Sequence, residues 1–205
     1  MSSITTRGMI FRALPDDGIA EVGFSRQGKP EFRQRNVLNL PKVAQEALSG
    51  RATQHWFGSS DRPAPEALNW VINTCTDPDT FGLALSGLEE TYGSLPIFNH
   101  PKAVRAAARD RMAQTLDGIT GLTIPRVKRV RFTTVAELEE AFSVGGFRFP
   151  VLLRPIEHQG GVGLRRIDGP VDWDKVLYSR WHGTDHFMIQ FEDSLTASGE
   201  YLKAR

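Results

Sequence analysis

The stretch Phe149-Pro-Val-Leu-Leu-Arg-Pro-Ile-Glu-His-Gln-Gly-Gly-Val-Gly-Leu-Arg-Arg-Ile-Asp168 decides the fold expected for this chain. Its first part, Phe149–Leu153, is an apolar run of the length of a buried strand. Arg154 ends this run, and a polar, glycine-rich segment follows it. The alternating residues 162–167 then predict a partner strand. The pattern therefore indicates a β-hairpin whose long connection is rich in glycine.

Two features of this hairpin predict an anion-binding loop. Gly160, Gly161 and Gly163 allow backbone N–H groups to turn toward an anion. Arg154 adds a permanent positive charge at the end of the first strand. The alternative is a surface hairpin with a flexible loop, because glycine clusters are common in turns of every kind.

Composition limits the classes of protein to consider. A chain of 205 residues, 40% of them hydrophobic, can bury a core and form one or two domains. With 25 Lys and Arg against 24 Asp and Glu, the net charge is +1, so the sequence predicts neither nucleic acid nor membrane as a partner. The single cysteine, Cys75, excludes an internal disulfide and suits a reducing compartment. No apolar run has the length of a signal peptide core or a bilayer span, so we expect a cytoplasmic protein.

A β–α–β unit is predicted between residues 67 and 98. Residues 67–75 form its first strand and residues 95–98 its second, and between them Asp77 and Pro78 match the N-cap and first positions of a helix. The helix positions expected to be buried, spaced i, i+4 and i+7, are Phe81, Leu85 and Leu88. This alternation is typical of an open α/β sheet, in which ligands bind at the carboxyl ends of the strands.

Polar side chains follow both strands of this unit. Asn73 and Thr74 come at the end of the first strand, and Asn99 and His100 follow the second. The carboxyl ends of parallel strands meet at one edge of a sheet, so these four residues are candidates to line a ligand site. The alternative interpretation is that the asparagines only cap turns.

The remaining pattern predicts a helix from Pro101 through Leu116, an exposed or half-buried strand over residues 122–130, and a helix that begins at a Thr134–Glu137 capping box. After the glycine-rich hairpin we expect a helix over residues 171–181 and a buried strand over residues 186–191.

From residue 95 onward, the order of elements resembles the ATP-grasp superfamily, the fold of D-alanine–D-alanine ligase and glutathione synthetase. Four segments support this resemblance: residues 95–125, Phe149–Pro155, Gln159–Gly163, and Phe187–Asp193 followed by Gly199–Tyr201. The first is similar to the family's Asp-Lys helix before a G-L-x-x-P strand, and the second to its F-P-V-x-x-K-P strand. The third is similar to the mobile glycine loop over the triphosphate. The fourth is similar to the adenine hinge with a ribose-binding glutamate.

The resemblance implies an α/β protein of two domains. Residues 1–100 would form a Rossmann-like pre-ATP-grasp domain that binds substrate. Residues 101–205 would form an incomplete ATP-grasp module, the N-terminal α+β subdomain with the start of the C-terminal one. The magnesium-binding half of the family lies beyond the hinge, so we expect an N-terminal portion of a longer protein, with Mg held by residues absent from this chain.

The resemblance also implies site residues. Those expected to bind ATP are Arg109, Arg154, Gln159, Gly160, Gly161, Gly163, Gln190, Phe191, Glu192, Asp193 and Glu200. Those expected to bind the other substrate are Asn73, Thr74, Asn99 and His100. Arg154 stands where a lysine is usual. Gln114 and Thr115 stand where the first phosphate-binding lysine is expected, which leaves Arg109 or Arg111 as substitutes. No catalytic residue and no metal ligand is assigned.

Two functions follow from the resemblance. The first is an ATP-dependent carboxylate–amine ligase with acyl-phosphate chemistry in its intact form, whose partners are ATP and a small carboxylate or amine; a homodimer is left open. The second is a degenerate, non-catalytic module that serves as a nucleotide-binding or protein-interaction scaffold. A Rossmann-type oxidoreductase is not favoured, since no G-x-G-x-x-G motif lies between a strand and a helix.

Overall fold

A computed structural model describes residues 7–156, 161–180 and 182–193. The strands are β1 Gly8–Arg12, β2 Glu21–Phe24, β3 Pro30–Arg33, β4 Ala52–Trp56, β5 Trp70–Asn73, β6 Ile97–Phe98, β7 Val127–Arg131, β8 Val151–Pro155, β9 Arg165–Ile167 and β10 Asp185–Gln190. The helices are α1 Lys42–Leu48, α2 Gly82–Tyr92, α3 Pro101–Ala106, α4 Arg109–Leu116, α5 Val135–Val144 and α6 Asp174–Leu177. The chain divides into two compact units between Ala108 and Arg109.

The N-terminal unit is built on a parallel sheet in the order β4-β1-β5-β6. Helix α2 connects β5 to β6 and buries Leu85 and Leu88 completely, together with Phe81 just before the helix. These side chains pack in one core with Met9 and Phe11 of the central strand. The predicted β–α–β unit and its buried helix face are therefore confirmed. Strands β2 and β3 form a separate antiparallel ribbon.

The predicted start of α2 at Asp77 and Pro78 is wrong. The Asp77 carboxylate instead accepts hydrogen bonds from the N–H groups of Asp79 and Thr80, at 3.0 and 2.9 Å, and so stabilises a turn ahead of the helix. The helix begins at Gly82, and Asp16 accepts a hydrogen bond from the Leu83 N–H at 3.0 Å. A residue distant in sequence thus accepts the hydrogen bond at the start of α2 that the local pattern predicted for Asp77.

The single helix expected from Pro101 to Leu116 is also wrong, because two short helices occupy this range. Helix α3 ends at Ala106, and α4 begins at Arg109. The break coincides with the division between the two units. The apolar stripe that suggested one helix therefore belongs to two helices: Val104 is buried, whereas Met112 is 43% exposed.

The C-terminal unit is built on an antiparallel sheet in the order β7-β10-β8-β9. The predicted hairpin is confirmed, since β8 pairs with β9. One face of the sheet packs against α5 and a 3-10 turn at Pro170–Trp173, and the core there includes Val151, Leu153 and Met188. The predicted α/β class is confirmed, whereas the Rossmann-like description and the boundary at residue 100 stay predictions.

The other elements of this unit differ in length from the sequence pattern. Helix α5 begins at the predicted capping box of Thr134 and Glu137. The strand predicted over residues 122–130 is shorter and covers only Val127–Arg131. The helix predicted over 171–181 is wrong in extent, because a 3-10 turn takes its first residues and α6 ends at Leu177.

Candidate functional site

The antiparallel sheet presents a second face, opposite its core. Residues that face each other on neighbouring antiparallel strands project to the same side. Because Leu153 and Met188 are opposed and lie in the core, their neighbours in sequence project to the other side. This side contains Val127, Arg129, Leu152, Arg154, Phe187 and Ile189. We call it the arginine face.

Side chains on the arginine face fall into two rows across β7, β10 and β8. The register opposes Ile189 to Val127 and to Leu152, which gives an apolar row of three half-buried side chains. The register also opposes Phe187 to Arg129 and to Arg154, which gives a row with an aromatic ring between two arginines. The rows are two residues apart along β10, a separation of about 7 Å. The face is thus apolar toward one end and cationic toward the other.

Two contacts orient Arg129 in the arginine row. Its guanidinium carbon lies 5.5 Å from the centroid of the Phe187 ring, within the range of a cation–π contact. Its Nε lies 3.5 Å from the Asp110 carboxylate. Asp110 is in the first turn of α4, so this ion pair places α4 beside β7. Arg154 is half-buried at the opposite end of the row.

The glycine-rich connection follows β8 directly after the arginine row. Gly161 has φ of +81° and Gly163 has φ of +72°, the left-handed region that favours glycine. A Cβ on Gly161 would meet nothing within 4 Å, so this position needs glycine for its backbone angle and not for space. The predicted residues Gln159 and Gly160, like Glu200, lie outside the described residues.

At the other end of β10, Gln190 has a role that the sequence did not indicate. Its side-chain Oε1 accepts from the Arg148 N–H at 3.1 Å, and its Nε2 donates to the carbonyl oxygens of Arg148 at 3.0 Å and Phe191 at 3.2 Å. Its backbone N–H donates to the Arg126 carbonyl at 2.8 Å. The side chain therefore holds neighbouring backbone segments together.

The residues after Gln190 lie among arginines. The guanidinium of Arg166 lies 4.4 Å from the Phe191 ring centroid. Glu192 lies 3.7 Å from an Arg148 nitrogen, and Asp193 is exposed. Carboxylates and guanidinium groups thus lie near each other at this end of the sheet.

A cleft of about 430 Å³ opens where β7 begins and β10 ends. Its lining includes Gln114 of α4, Pro125, Val127, Arg148 and Glu192. Val127 is also the first member of the apolar row, so the cleft adjoins the arginine face. The cleft lining is thus mixed, with apolar groups beside polar and charged ones.

The four residues predicted at the strand ends of the N-terminal unit bond mainly to backbone. Asn73 Nδ2 donates to the Asn99 carbonyl at 2.9 Å, and Asn99 Nδ2 donates to the Asn73 carbonyl at 3.2 Å. Thr74 donates to the Phe11 carbonyl at 2.8 Å, and His100 accepts from the Lys102 N–H at 3.1 Å. The structure brings the two asparagines together, and these contacts match the turn-capping interpretation. Their contact with a substrate stays a prediction.

The cysteine of this unit is unsuited to nucleophilic chemistry. Cys75 is completely buried, and burial raises the pKa of its thiol to about 12. The nucleophilic form of cysteine is the thiolate, which this environment disfavours.

Arg109 was a predicted site residue, whereas Arg129 was not. Arg109, predicted to bind ATP, is the exposed first residue of α4, and its neighbour Asp110 contacts β7. Arg129 was not among the predicted site residues. The alternation of apolar and basic residues from Val127 to Arg131 signals it, but only the register of β10 shows that Arg129 shares a face with Arg154.

Two further features concern metal ligands and membrane-spanning helices. Among residues 7–156, 161–180 and 182–193, no three His, Cys, Asp or Glu side chains converge as ligands. Over the same ranges, no helix has the length and apolar character needed to cross a bilayer.

Comparison with known proteins links this arrangement to solved structures. A RimK domain ATP-grasp protein from Sphaerobacter thermophilus aligns with 92% of this chain at 15% identity and a TM-score of 0.50. A carboxyaminoimidazole ribonucleotide synthase from Aspergillus clavatus, complexed with ATP, aligns with 92% at 13% identity and a TM-score of 0.50. The D-cycloserine synthetase DcsG aligns with 94% at 10% identity and a TM-score of 0.50. No protein-family model matches the chain, and no curated protein matches it.

These similarities show the fold. The chain has the α/β arrangement of part of an ATP-grasp protein, a parallel sheet followed by an antiparallel sheet. It spans 65%, 48% and 62% of the three solved chains, respectively.

Proposed function

We propose that the C-terminal unit binds ATP on its arginine face, as part of a carboxylate–amine ligase. The observation that supports this most directly is the pair of rows on adjacent strands. The apolar row of Val127, Ile189 and Leu152 suits a flat adenine ring, and the row with Arg154 suits phosphate oxygens. The complex of the Aspergillus clavatus synthase with ATP supports the same ligand for a protein of this fold.

The spacing of these features suits an extended nucleotide. Gln190 and Phe187 are three residues apart on β10, which corresponds to about 10 Å along an extended strand. Adenine held near Gln190 and Glu192 would therefore direct its phosphates toward Arg154 and on to Gly161 and Gly163. In this arrangement the glycine-rich connection supplies backbone N–H groups beyond the arginine row.

The proposed reaction proceeds in two steps in the intact protein. A carboxylate oxygen attacks the γ-phosphorus of ATP, which forms an acyl phosphate and releases ADP. An amine then attacks the acyl carbon, which forms the amide and releases phosphate. The described residues contribute binding and charge neutralisation, the main protein contributions to phosphoryl transfer. Asn73, Thr74, Asn99 and His100 are proposed to face the non-nucleotide substrate.

We propose no magnesium-binding role for the described residues. ATP-grasp proteins use this ion with ATP, and it would neutralise phosphate charge during the transfer. The described residues provide no suitable ligand cluster. We therefore assign no step of the reaction to a metal held by them.

Ligand-dependent unfolding tests the proposal. ATP at roughly a hundred times its Kd should stabilise the chain by about 2.7 kcal/mol. Arg154→Ala should remove most of this stabilisation, and Arg154→Lys should retain more because it keeps the charge. Arg26→Ala is the matched control, since Arg26 is exposed in the turn between β2 and β3. Thermal unfolding of each variant with and without MgATP measures the effect.

The outcomes separate a nucleotide-binding protein from a scaffold that binds only other proteins. Stabilisation that depends on Arg154 but not on Arg26 supports the nucleotide site. No stabilisation of the unsubstituted chain would reject it and leave the protein-interaction scaffold. Stabilisation that is equal in the Arg154→Ala variant would place any nucleotide away from the arginine face.

A further inference from the structure

We infer that Arg129 supplies the second phosphate-binding cation of this site, in place of the helix residues Arg109 and Arg111. This inference rests on the proposed function. The family resemblance left this charge to Arg109 or Arg111, because Gln114 and Thr115 stand where the lysine is expected; the inference assigns it to β7 instead. In this arrangement Arg129 and Arg154, on two different strands, together neutralise the phosphate charge.

The sheet register places Arg129 and Arg154 at opposite ends of one row. Both are opposed to Phe187, one from each neighbouring strand. Two strand spacings separate their backbones by about 10 Å. Each side chain can extend over the central ring, so the two guanidinium groups can reach phosphate oxygens from opposite sides.

Contacts already direct the Arg129 side chain toward this place. Its guanidinium lies over the Phe187 ring, with 5.5 Å between the guanidinium carbon and the ring centroid. Its Nε lies 3.5 Å from Asp110 Oδ2. A guanidinium carries five N–H donors in a fixed plane, so it can hold a carboxylate at one edge and a phosphate at another. Asp110 thereby acts as a positioning residue.

Asp110 has a second feature of interest. Its other oxygen, Oδ1, is buried and has no hydrogen-bond partner among the described residues. A buried acceptor without a donor is unfavourable, and most such groups in proteins are paired. Because this oxygen is buried and a phosphate offers no donor, Asp110 contributes to the proposed site only through its ion pair with Arg129.

The helix arginines are less well placed. Arg109 and Arg111 are exposed, and they flank Asp110, the α4 residue that contacts β7. Successive residues on a helix point about 100° apart, so these two side chains are directed away from the contact with β7. Gln114 lines the neighbouring cleft without charge. Arg129 is therefore better placed than either of them to pair with Arg154.

Titration calorimetry on the full chain, with ATP and with adenosine, tests the inference. Arg129→Ala should weaken ATP binding by about tenfold to a hundredfold, the usual effect of losing a charged hydrogen bond. Adenosine affinity should change by less than about threefold, because adenosine lacks the phosphates. Lys128→Ala is the matched control, since Lys128 is a cation on the same strand that projects to the opposite face.

Two further variants keep the test decisive. If Arg129→Ala unfolds, Arg129→Gln replaces it, because glutamine keeps much of the length and removes the charge. Arg129→Lys should recover part of the ATP affinity and separate loss of charge from loss of packing. The Arg109→Ala variant should weaken ATP binding less than Arg129→Ala.

Each outcome has a distinct meaning. Failure of the unsubstituted chain to bind ATP would overturn both the proposed function and this inference. ATP binding that is equal in the Arg129→Ala variant would overturn the inference alone. Equal losses for ATP and adenosine would also overturn it, because they would indicate damage to the fold and not loss of a phosphate contact. A larger loss in Arg109→Ala would assign the second cation to α4.

Discussion

Replacement of Gln190 should loosen the segment that leads into β8. Gln190 is 8% exposed, and its amide contacts four backbone groups of residues 148–150 and 191. The amide nitrogen has two hydrogens and lies near three carbonyl oxygens, so two of these contacts at most are full hydrogen bonds at one time. Together with the bond accepted from the Arg148 N–H, replacement of Gln190 would remove about three hydrogen bonds.

Gln190→Ala should lower the free energy of unfolding by about 2–4 kcal/mol. The value follows from about 1 kcal/mol for each of about three hydrogen bonds, with the usual spread of about 0.5 kcal/mol or less per bond. Urea unfolding followed by tryptophan fluorescence measures it, since Trp173 lies in the core of the same unit. We expect a lower midpoint with an unchanged dependence on urea concentration.

Gln190→Glu provides a sharper version of the same test. It keeps the shape but directs a carboxylate oxygen at the carbonyl groups of Arg148, Pro150 and Phe191. The destabilisation relative to the unsubstituted chain should therefore shrink as pH falls and the new carboxyl takes up a proton. Gln114→Ala is the control, since Gln114 is an exposed glutamine of the cleft that Gln190 also lines, and its expected change is within about 0.5 kcal/mol. Gln190→Ala unfolding at the same urea concentration as the unsubstituted chain would refute the reasoning.

Two further predictions concern the same unit. Thr134→Ala should reduce stability by about 1 kcal/mol in urea unfolding, because Thr134 Oγ1 accepts from the Glu137 N–H at 3.3 Å; Thr134→Ser should have little effect. Burial lowers the pKa of His186, against smaller opposing effects of the Thr184 carbonyl and Asp185. The unfolded chain then takes up this proton more readily, so stability should fall as pH drops below about 6.5 toward the lower folded pKa. His186→Gln should flatten the decline, and an unchanged pH profile would contradict this.

Local patterns in the sequence determined much of the fold. The alternation of apolar runs and glycines predicted the β8–β9 hairpin, and the positions of Phe81, Leu85 and Leu88 predicted the buried face of α2. The capping box at Thr134 marked the start of α5. These predictions are correct because the hydrogen bonds and burial that stabilise each element involve residues a few positions apart.

Boundaries set by distant residues were not predictable in this way. The start of α2 depends on Asp16, far from the helix in sequence. The break between α3 and α4 separates two units, each with its own core, although the apolar spacing continues across it. A local pattern contains no information about which distant group will accept a hydrogen bond or which core will receive a side chain.

By itself, then, the sequence determined the α/β class, the glycine-rich hairpin and Arg154 as a candidate cation. Only the tertiary structure decided that Gln190 bonds to backbone and that Arg129 shares a row with Arg154. The physical reason is strand register. A shift of one residue in the pairing of β7 with β10 would turn Arg129 to the opposite face, and the sequence of either strand alone does not specify that pairing.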